Sequence, residues 1–280
     1  MLIIGELINC TRKRVGEAAA KRDTEFIQNL ARKQMEAGAH MLDLNGDLPG
    51  QEVEVLTWLT SVVQEIADLP LCLDSANPNA ILQALPLCRR PPMINSLNDE
   101  PARWDMLPTL REYRPKVIAL CTSETGVPTD VVDRVAIAST LIDRLTAEGF
   151  VLDDIYVDAC VLPIATGPQG RKLMGAVSQI AAAYPGVHLS AGVSNVSFGM
   201  PQRKLLNESF LLLLMAHGLD TAIVDPCDPQ LMMNILAAEA LLGRDERCKI
   251  YLRAYREGKL DHGAVQKSTN PEAALASSSR

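Results

Sequence analysis

The sequence has no excess of basic residues: Lys and Arg number 27 against 34 Asp and Glu, a formal net charge of −7. Nucleic-acid backbones are bound by basic surfaces, so no nucleic-acid partner is expected. No basic amphipathic stretch points to a membrane surface. The first ten residues, MLIIGELINC, carry no charged leader, and Gly5, Glu6 and Asn9 interrupt their apolar run, so no secretory signal is expected there. The longest apolar run, residues 210–216, is far too short to span a bilayer. Seven cysteines are scattered without CxxC spacing. That argues against a disulfide framework and a zinc ribbon, and leaves reduced thiols in the cytoplasm as the simplest expectation. GxGxxG and the P-loop are both missing; GPQGRK at 167–172 has the wrong spacing.

What is present is a rhythm. The 280 residues are 48% hydrophobic, enough for one sizeable core. Short, near-continuously apolar runs recur: LIIGELIN (2–9), HMLDLN (40–45), PLCLDS (70–75), PMINSL (92–97), KVIALC (116–121), IYVDAC (155–160), HLSAGVSN (188–195) and TAIVDP (221–226). Strands buried on both faces by flanking helices read this way. The segments between them have helical spacing, as in 24–37 and in 129–148 with Thr129 as N-cap, and each of these two stops at a Gly. Eight strand–helix units in about 240 residues predict a single-domain α/β fold, the (β/α)8 TIM barrel, which takes ~250 residues. The barrel is expected over residues 1–260, and 261–280, where the apolar rhythm is lost, as a flexible C-terminal tail.

In such barrels the active site lies at the C-terminal strand ends. Those ends carry Asn9, Asp43 with Asn45, Asp74, Asn95, Asp158, Asn195 and Asp225, a carboxylate or carboxamide from seven of the eight. Histidine is almost absent there. Asp and Asn also cap helices, but three of these residues have competitors for that task. Asn77 with Pro78 follows Asp74, Asp99 follows Asn95, and Thr166 lies closer than Asp158 to its helix. The spared side chains need partners, since a buried polar group left unpaired costs about 1–3 kcal/mol. A carboxylate cluster could hold Mg²⁺ or Ca²⁺. Mixed acids and amides better suit a flat heterocycle such as a 2-aminopyrimidinone, whose adjacent N–H groups a carboxylate accepts and whose ring nitrogens a carboxamide serves.

GELINCTR (5–12), AGAHMLDLNGD (37–47), LDSANP (73–78), MINSLN (93–98) and GVSNVSFGMPQRKLLNESFL (192–211) together resemble the pterin-binding methyltransferases. They are most similar to the methyltetrahydrofolate:corrinoid methyltransferases of acetogenic and demethylating anaerobes and to the folate module of cobalamin-dependent methionine synthase. The resemblance runs over roughly residues 3–258 and implies the same barrel fold. It implies transfer of a methyl group between N5 of tetrahydrofolate and the cobalt of a corrinoid, in acetogenic or O-demethylation metabolism. Asp74, Asn95 and Asp158 would hold the pterin ring, with Gly192 and Ser194 on the same wall and Asn9 and Asp43 completing the rim. Asn195, beside N5, would be catalytic together with Asp158. Arg203 is a candidate for the folate tail. No metal held by this chain's own ligands is expected. The chain has no DxHxxG pattern, so the corrinoid (cobalamin) is expected on a separate protein. The family further implies a homodimer.

Dihydropteroate synthase shares the barrel and the pterin site. Its first strand, however, runs from Asn-Val-Thr-Pro into Asp-Ser-Phe-Ser where this chain reads Asn9-Cys10-Thr11-Arg12, and its late Ser-x-Arg motif is not evident near 221–226. A non-catalytic pterin-binding module and a metal-dependent aldolase are the other readings. Ser197 or Gln202 is expected to serve the helix after Asn195. His40, His188 and His217 fall at the opposite end of the barrel and read as structural. Cys121 and Cys160 read as packing groups, and Arg12, Lys13 and Arg14 as a solvated charge cluster.

Overall fold

The computed structural model describes residues 1–261. The expected tail, apart from Asp261, lies outside the described residues. Two compact units form, the first Met1–Cys227 and the second from Asp228.

The first unit contains eight strands: β1 Leu2–Asn9, β2 Met41–Asn45, β3 Leu71–Asp74, β4 Met93–Asp99, β5 Lys116–Ser123, β6 Ile155–Asp158, β7 His188–Gly192 and β8 Thr221–Val224. They close into a barrel in sequence order, each strand parallel to the next and β8 pairing back onto β1. The first unit's helices are α1 Lys13–Ala20, α2 Thr24–Glu36, α3 Glu52–Gln64, α4 Pro78–Ala84, α5 Pro101–Trp104, α6 Leu107–Tyr113, α7 Val131–Ala147, α8 Gln169–Ala183 and α9 Arg203–Ala216. The second unit carries α10 Pro229–Leu241 and α11 Lys249–Arg256. No helix among the described residues is long and apolar enough to cross a membrane.

Helix starts follow local chemistry. Asp23 caps α2 by accepting from Phe26 N–H, and Asn77 caps α4 from Asn79 N–H with Pro78 in the first turn. The cap of α7 is Asp130, one residue after the expected Thr129. Asp99 caps nothing: it ends β4 and lies 3.9 Å from Arg144. Thr166 does not cap α8 either, its hydroxyl donating instead to the Pro163 carbonyl.

Strands β2, β6 and β8 are buried at every residue. Inside the barrel, Ile4, Met41, Cys72, Met93, Ile118, Tyr156 and Ile223 pack into one apolar cluster, a residue from each strand except β7. Side chains two apart on a strand share a face. Asp43, Asp74, Asn95 and Asp158 each lie two residues beyond a member of that cluster, so a polar layer stands directly above an apolar floor.

Gly46, just past β2, shows how closely α3 packs. A Cβ there would stand 2.7 Å from Leu56 Cβ and 2.9 Å from its Cα and N. Gly46→Ala is therefore expected to cost about 2–3 kcal/mol, a fall in Tm of roughly 5–10 °C measurable by scanning calorimetry.

Candidate active site

The register of β1 to β4 sets Asn9 beside Asn45, Asn45 beside Asp74 and Asp74 beside Asn95. Asn45 Nδ2 donates to Asp74 Oδ2 at 2.9 Å. Asn95 Nδ2 donates to Asp43 Oδ1 at 3.3 Å. That second bond joins β2 to β4 past the intervening β3, which is possible only through the lumen. The acids and amides of these strands thus converge on one space.

Their electrostatics follow from burial. Asp43 is held well above the usual carboxylate range by loss of solvent and then by the charge of Asp74; the Cys72 thiol and the Asn95 amide oppose this. Burial pushes Asp74 up to about 6, with Asn45 opposing, Asp47 adding and Arg103 opposing. Neighbouring acids in a dry interior do not readily ionise together. Burial likewise lifts Asp158 to about 6, against the backbone N–H groups of Cys160 and Gly192 and the charge of Arg134. The Cys160 N–H reaches Asp158 Oδ1 at 2.8 Å. The three side chains read as spare are free of helix capping, and each has a hydrogen-bonded partner.

Strand β7 ends at Gly192, three residues short of the sequence expectation. Asn195 is delivered instead from a 3₁₀ turn, Val193–Ser197. It is exposed, and its carboxamide has no hydrogen-bond partner among the described residues. A Cβ on Gly192 would sit 3.2 Å from Asn195 Nδ2, so glycine leaves the amide room to turn. Ser194 Oγ donates to Glu6 Oε2 at 3.1 Å. Arg203, the candidate for the folate tail, bonds within its own loop: its Nη2 donates to the Ser194 carbonyl at 2.7 Å and its Nε to Ser197 Oγ at 3.0 Å, fastening the turn. Gln202 stands at the N-cap of α9 without a side-chain bond, while Ser197 bonds Arg203 and Asn207.

Other expected rim members are locally engaged. Asn9 Oδ1 accepts from the Thr11 amide and hydroxyl at 2.9 and 2.6 Å, closing the turn after β1. Asp225, one residue past β8, accepts from Cys227 N–H.

Glu6 was legible only as an interruption of the first apolar run, yet it belongs to the site. Burial raises its pKa; Arg12, at 2.8 Å, and Ser194 oppose the rise, and Asp225 adds to it. Arg12 is thus an ion-pair partner of Glu6 while remaining, with Lys13 and Arg14, exposed to solvent as expected. Asp47 braces the β3 loop by accepting from Ser75 Oγ and Ala76 N–H.

The residues discounted from sequence have structural occupations. His40 Nδ1 accepts from Ile3 N–H, His217 meets Ser178, and His188 sits between Asp220 and Asp153 against the Tyr156 ring. Burial pushes the Cys121 thiol well up and Cys160 to about 12, which suppresses nucleophilic thiolate. No three His, Cys, Asp or Glu are grouped as metal ligands among the described residues.

Residues 5–225 match the family described as pterin binding enzyme. Over 271 residues the chain is 35% identical to a methylcorrinoid:tetrahydrofolate methyltransferase of Eubacterium limosum, covering 95% of this chain and 99% of that protein. It is 30% identical over 240 residues to a methionine synthase of Mycobacterium leprae, covering 80% of this chain but only 20% of the synthase. Among solved structures, a Yersinia pestis dihydropteroate synthase aligns with a TM-score of 0.69 at 14% identity, covering 87% of this chain and 94% of that one. A Xanthomonas albilineans dihydropteroate synthase aligns at 0.67 and 16%, covering 85% and 94%. At those identities the likeness is one of fold.

Proposed function

This chain belongs to the pterin-binding enzyme family, and on that premise we propose that it moves a methyl group between N5 of tetrahydrofolate and the cobalt of a corrinoid carried by a second protein. The observation that carries this reading is the lumen layer in which β2, β3 and β4 bring Asp43, Asp74 and Asn95 together, with Asp158 on β6 at the same height, two residues beyond Tyr156 of the apolar floor. The near full-length match to a methylcorrinoid:tetrahydrofolate methyltransferase supports the reaction class. That relative's name gives folate as acceptor, and the same residues serve either direction by microscopic reversibility.

The donor set fits a pterin. Asp74 and Asp158, once ionised, accept from the ring's amino and amide N–H groups, and Asn95 presents an amide whose orientation Asp43 fixes. The corrinoid supplies a cobalt that forms and breaks the bond to methyl; it is the partner's cargo. The residues of this chain hold the pterin, keep N5 at the mouth and manage charge there. The Asn195 amide, free to rotate, donates to N5 through Nδ2 or accepts from a protonated N5–H through Oδ1. It thereby stabilises charge that appears during transfer. The cytoplasmic location, the homodimer and the setting in acetogenic or O-demethylation metabolism belong to this proposal as expectations from the family.

The direct test mixes the purified protein with methyltetrahydrofolate and reduced cobalamin and follows the Co(I) absorption. Its disappearance is expected. Folate binding with an unchanged spectrum would mark a binding module instead.

Affinity for tetrahydrofolate should also depend on pH with a definite sign. Asp74 and Asp158, both near 6, are charged above that value and neutral below it. A protonated carboxyl cannot accept on both oxygens. Binding is therefore expected to be flat from pH 7 to 8 and to weaken by about tenfold per pH unit per group below 6, as read by calorimetric titration. An affinity that holds constant down to pH 5 would remove both carboxylates from the ring.

A further inference from the structure

Arg134, on α7, is the largest side chain the barrel buries completely. Its guanidinium forms no ion pair among the described residues. Nε donates to the Ala159 carbonyl at 2.8 Å, Nη1 to the Asp130 carbonyl at 3.1 Å, and Nη2 to the Cys160 carbonyl and Gln169 Oε1, both at 3.4 Å. A charge taken wholly out of water without a directly paired counter-charge is costly; the carboxylates that offset it from further off are Asp130 and then Asp158.

The link to Asp158 runs through one peptide group. The Ala159 carbonyl accepts from Arg134, and the Cys160 N–H of the same peptide donates to Asp158 Oδ1 at 2.8 Å. In a trans peptide the carbonyl and N–H point opposite ways. Guanidinium and carboxylate therefore stand at the two ends of a single rigid plane. A hydrogen bond at one end polarises the group and strengthens the bond at the other. Cys160 keeps a left-handed backbone, φ +63°, in this turn, where Arg134 holds two successive carbonyls.

We propose that Arg134 is a positioning residue: through the Ala159–Cys160 peptide it aims the N–H that grips Asp158 and keeps that carboxylate in the charged form that accepts from the pterin. The groups facing Asp158 are few. Arg134 comes from α7, the Cys121 thiol from β5, the Cys160 thiol and N–H from its own loop, and the Gly192 N–H from the end of β7. Burial keeps both thiols neutral, so Arg134 is the one full charge among them. This role rests on the pterin reading only for its final step, the meeting of Asp158 and the ring.

The test titrates the Asp158 carboxyl in the free full-length protein by carbon-13 NMR, with Asp158→Asn identifying the resonance. The wild-type midpoint is expected at about 6. Arg134→Gln retains a donor for the Ala159 carbonyl but no charge; its midpoint should rise by about one pH unit. At pH 6 its Kd for tetrahydrofolate should then increase by several-fold, with recovery above pH 8. Arg134→Met is the second neutral variant, for use if the Gln variant does not accumulate. Arg134→Lys keeps the charge and should titrate close to wild type. An unmoved midpoint in a neutral variant, or a full-unit rise in the Lys variant, overturns the proposal. So does a loss of affinity of equal size at every pH, the signature of a merely structural arginine. A midpoint that moves as expected in a protein without affinity for tetrahydrofolate sinks the pterin reading and leaves this inference standing.

Discussion

Asn195→Ala is expected to slow methyl transfer by ~10²–10³-fold, the scale of removing one preorganised hydrogen-bonding group from a transition state, while Tm and the affinity for tetrahydrofolate stay nearly unchanged. The dissociation follows from where the residue sits. Its turn is fastened at Ser194 and Ser197 by Arg203 and at Ser194 by Glu6. The Asn195 amide takes no part in that fastening and is exposed, so its removal strips nothing from the fold. On the proposed reading the pterin is held chiefly from β3, β4 and β6, so ground-state binding should survive. Single-turnover kinetics with reduced cobalamin, beside equilibrium titration of the folate, separates the two effects. Turnover near wild type, or a loss carried entirely by affinity, would take Asn195 away from N5.

Asp158→Asn should act in the opposite sense on binding and on stability. A carboxylate that accepts two adjacent ring N–H groups is replaced by an amide with a single acceptor, and a loss of about 10²-fold in folate affinity at pH 7.5 is expected from charged hydrogen bonds of this kind. The same change removes a buried charge. A carboxyl titrating at about 6 rather than 3.8 corresponds to roughly 3 kcal/mol of burial cost at neutral pH. Below pH 4 the group is neutral in both folded and unfolded chains and the cost vanishes; it grows between about 4 and 6 and is constant above. The variant should therefore melt higher than wild type at pH 7.5 and alongside it at pH 4. The Asn amide that replaces the carboxylate must itself be buried and can pair less fully, so the net gain is expected nearer 1–2 kcal/mol. Calorimetry at the two pH values checks this, and a variant that melts lower at pH 7.5 would show that Asp158 is chiefly a structural acceptor.

The barrel was legible in the sequence because burial on both faces leaves each strand as an unbroken apolar run. Strand starts fell within a residue of the structure for that reason. Strand ends were less legible: HLSAGVSN reads as one apolar stretch, but the backbone leaves the sheet at Gly192. That Asp74, Asn95 and Asp158 are free of helix capping could be anticipated because their helices begin elsewhere. The Asp43–Asn95 bond spans 52 residues and depends on the sheet closing, which no local pattern announces. Glu6 looked like a defect in β1 because its partners, Arg12 and Ser194, come from a loop and from the far end of the chain. Arg134 reads locally as one more helix arginine; its burial is created by a loop 25 residues later.

The apolar floor beneath the acids has a consequence for traffic. With seven hydrophobic side chains closing the lumen from below, the proposed reading has water and protons reach the reacting nitrogen by the same opening that the corrinoid protein covers to deliver cobalt. A proton given up during transfer is then stranded until the partner leaves. On the proposed reading, each catalytic cycle is thereby tied to a docking and an undocking.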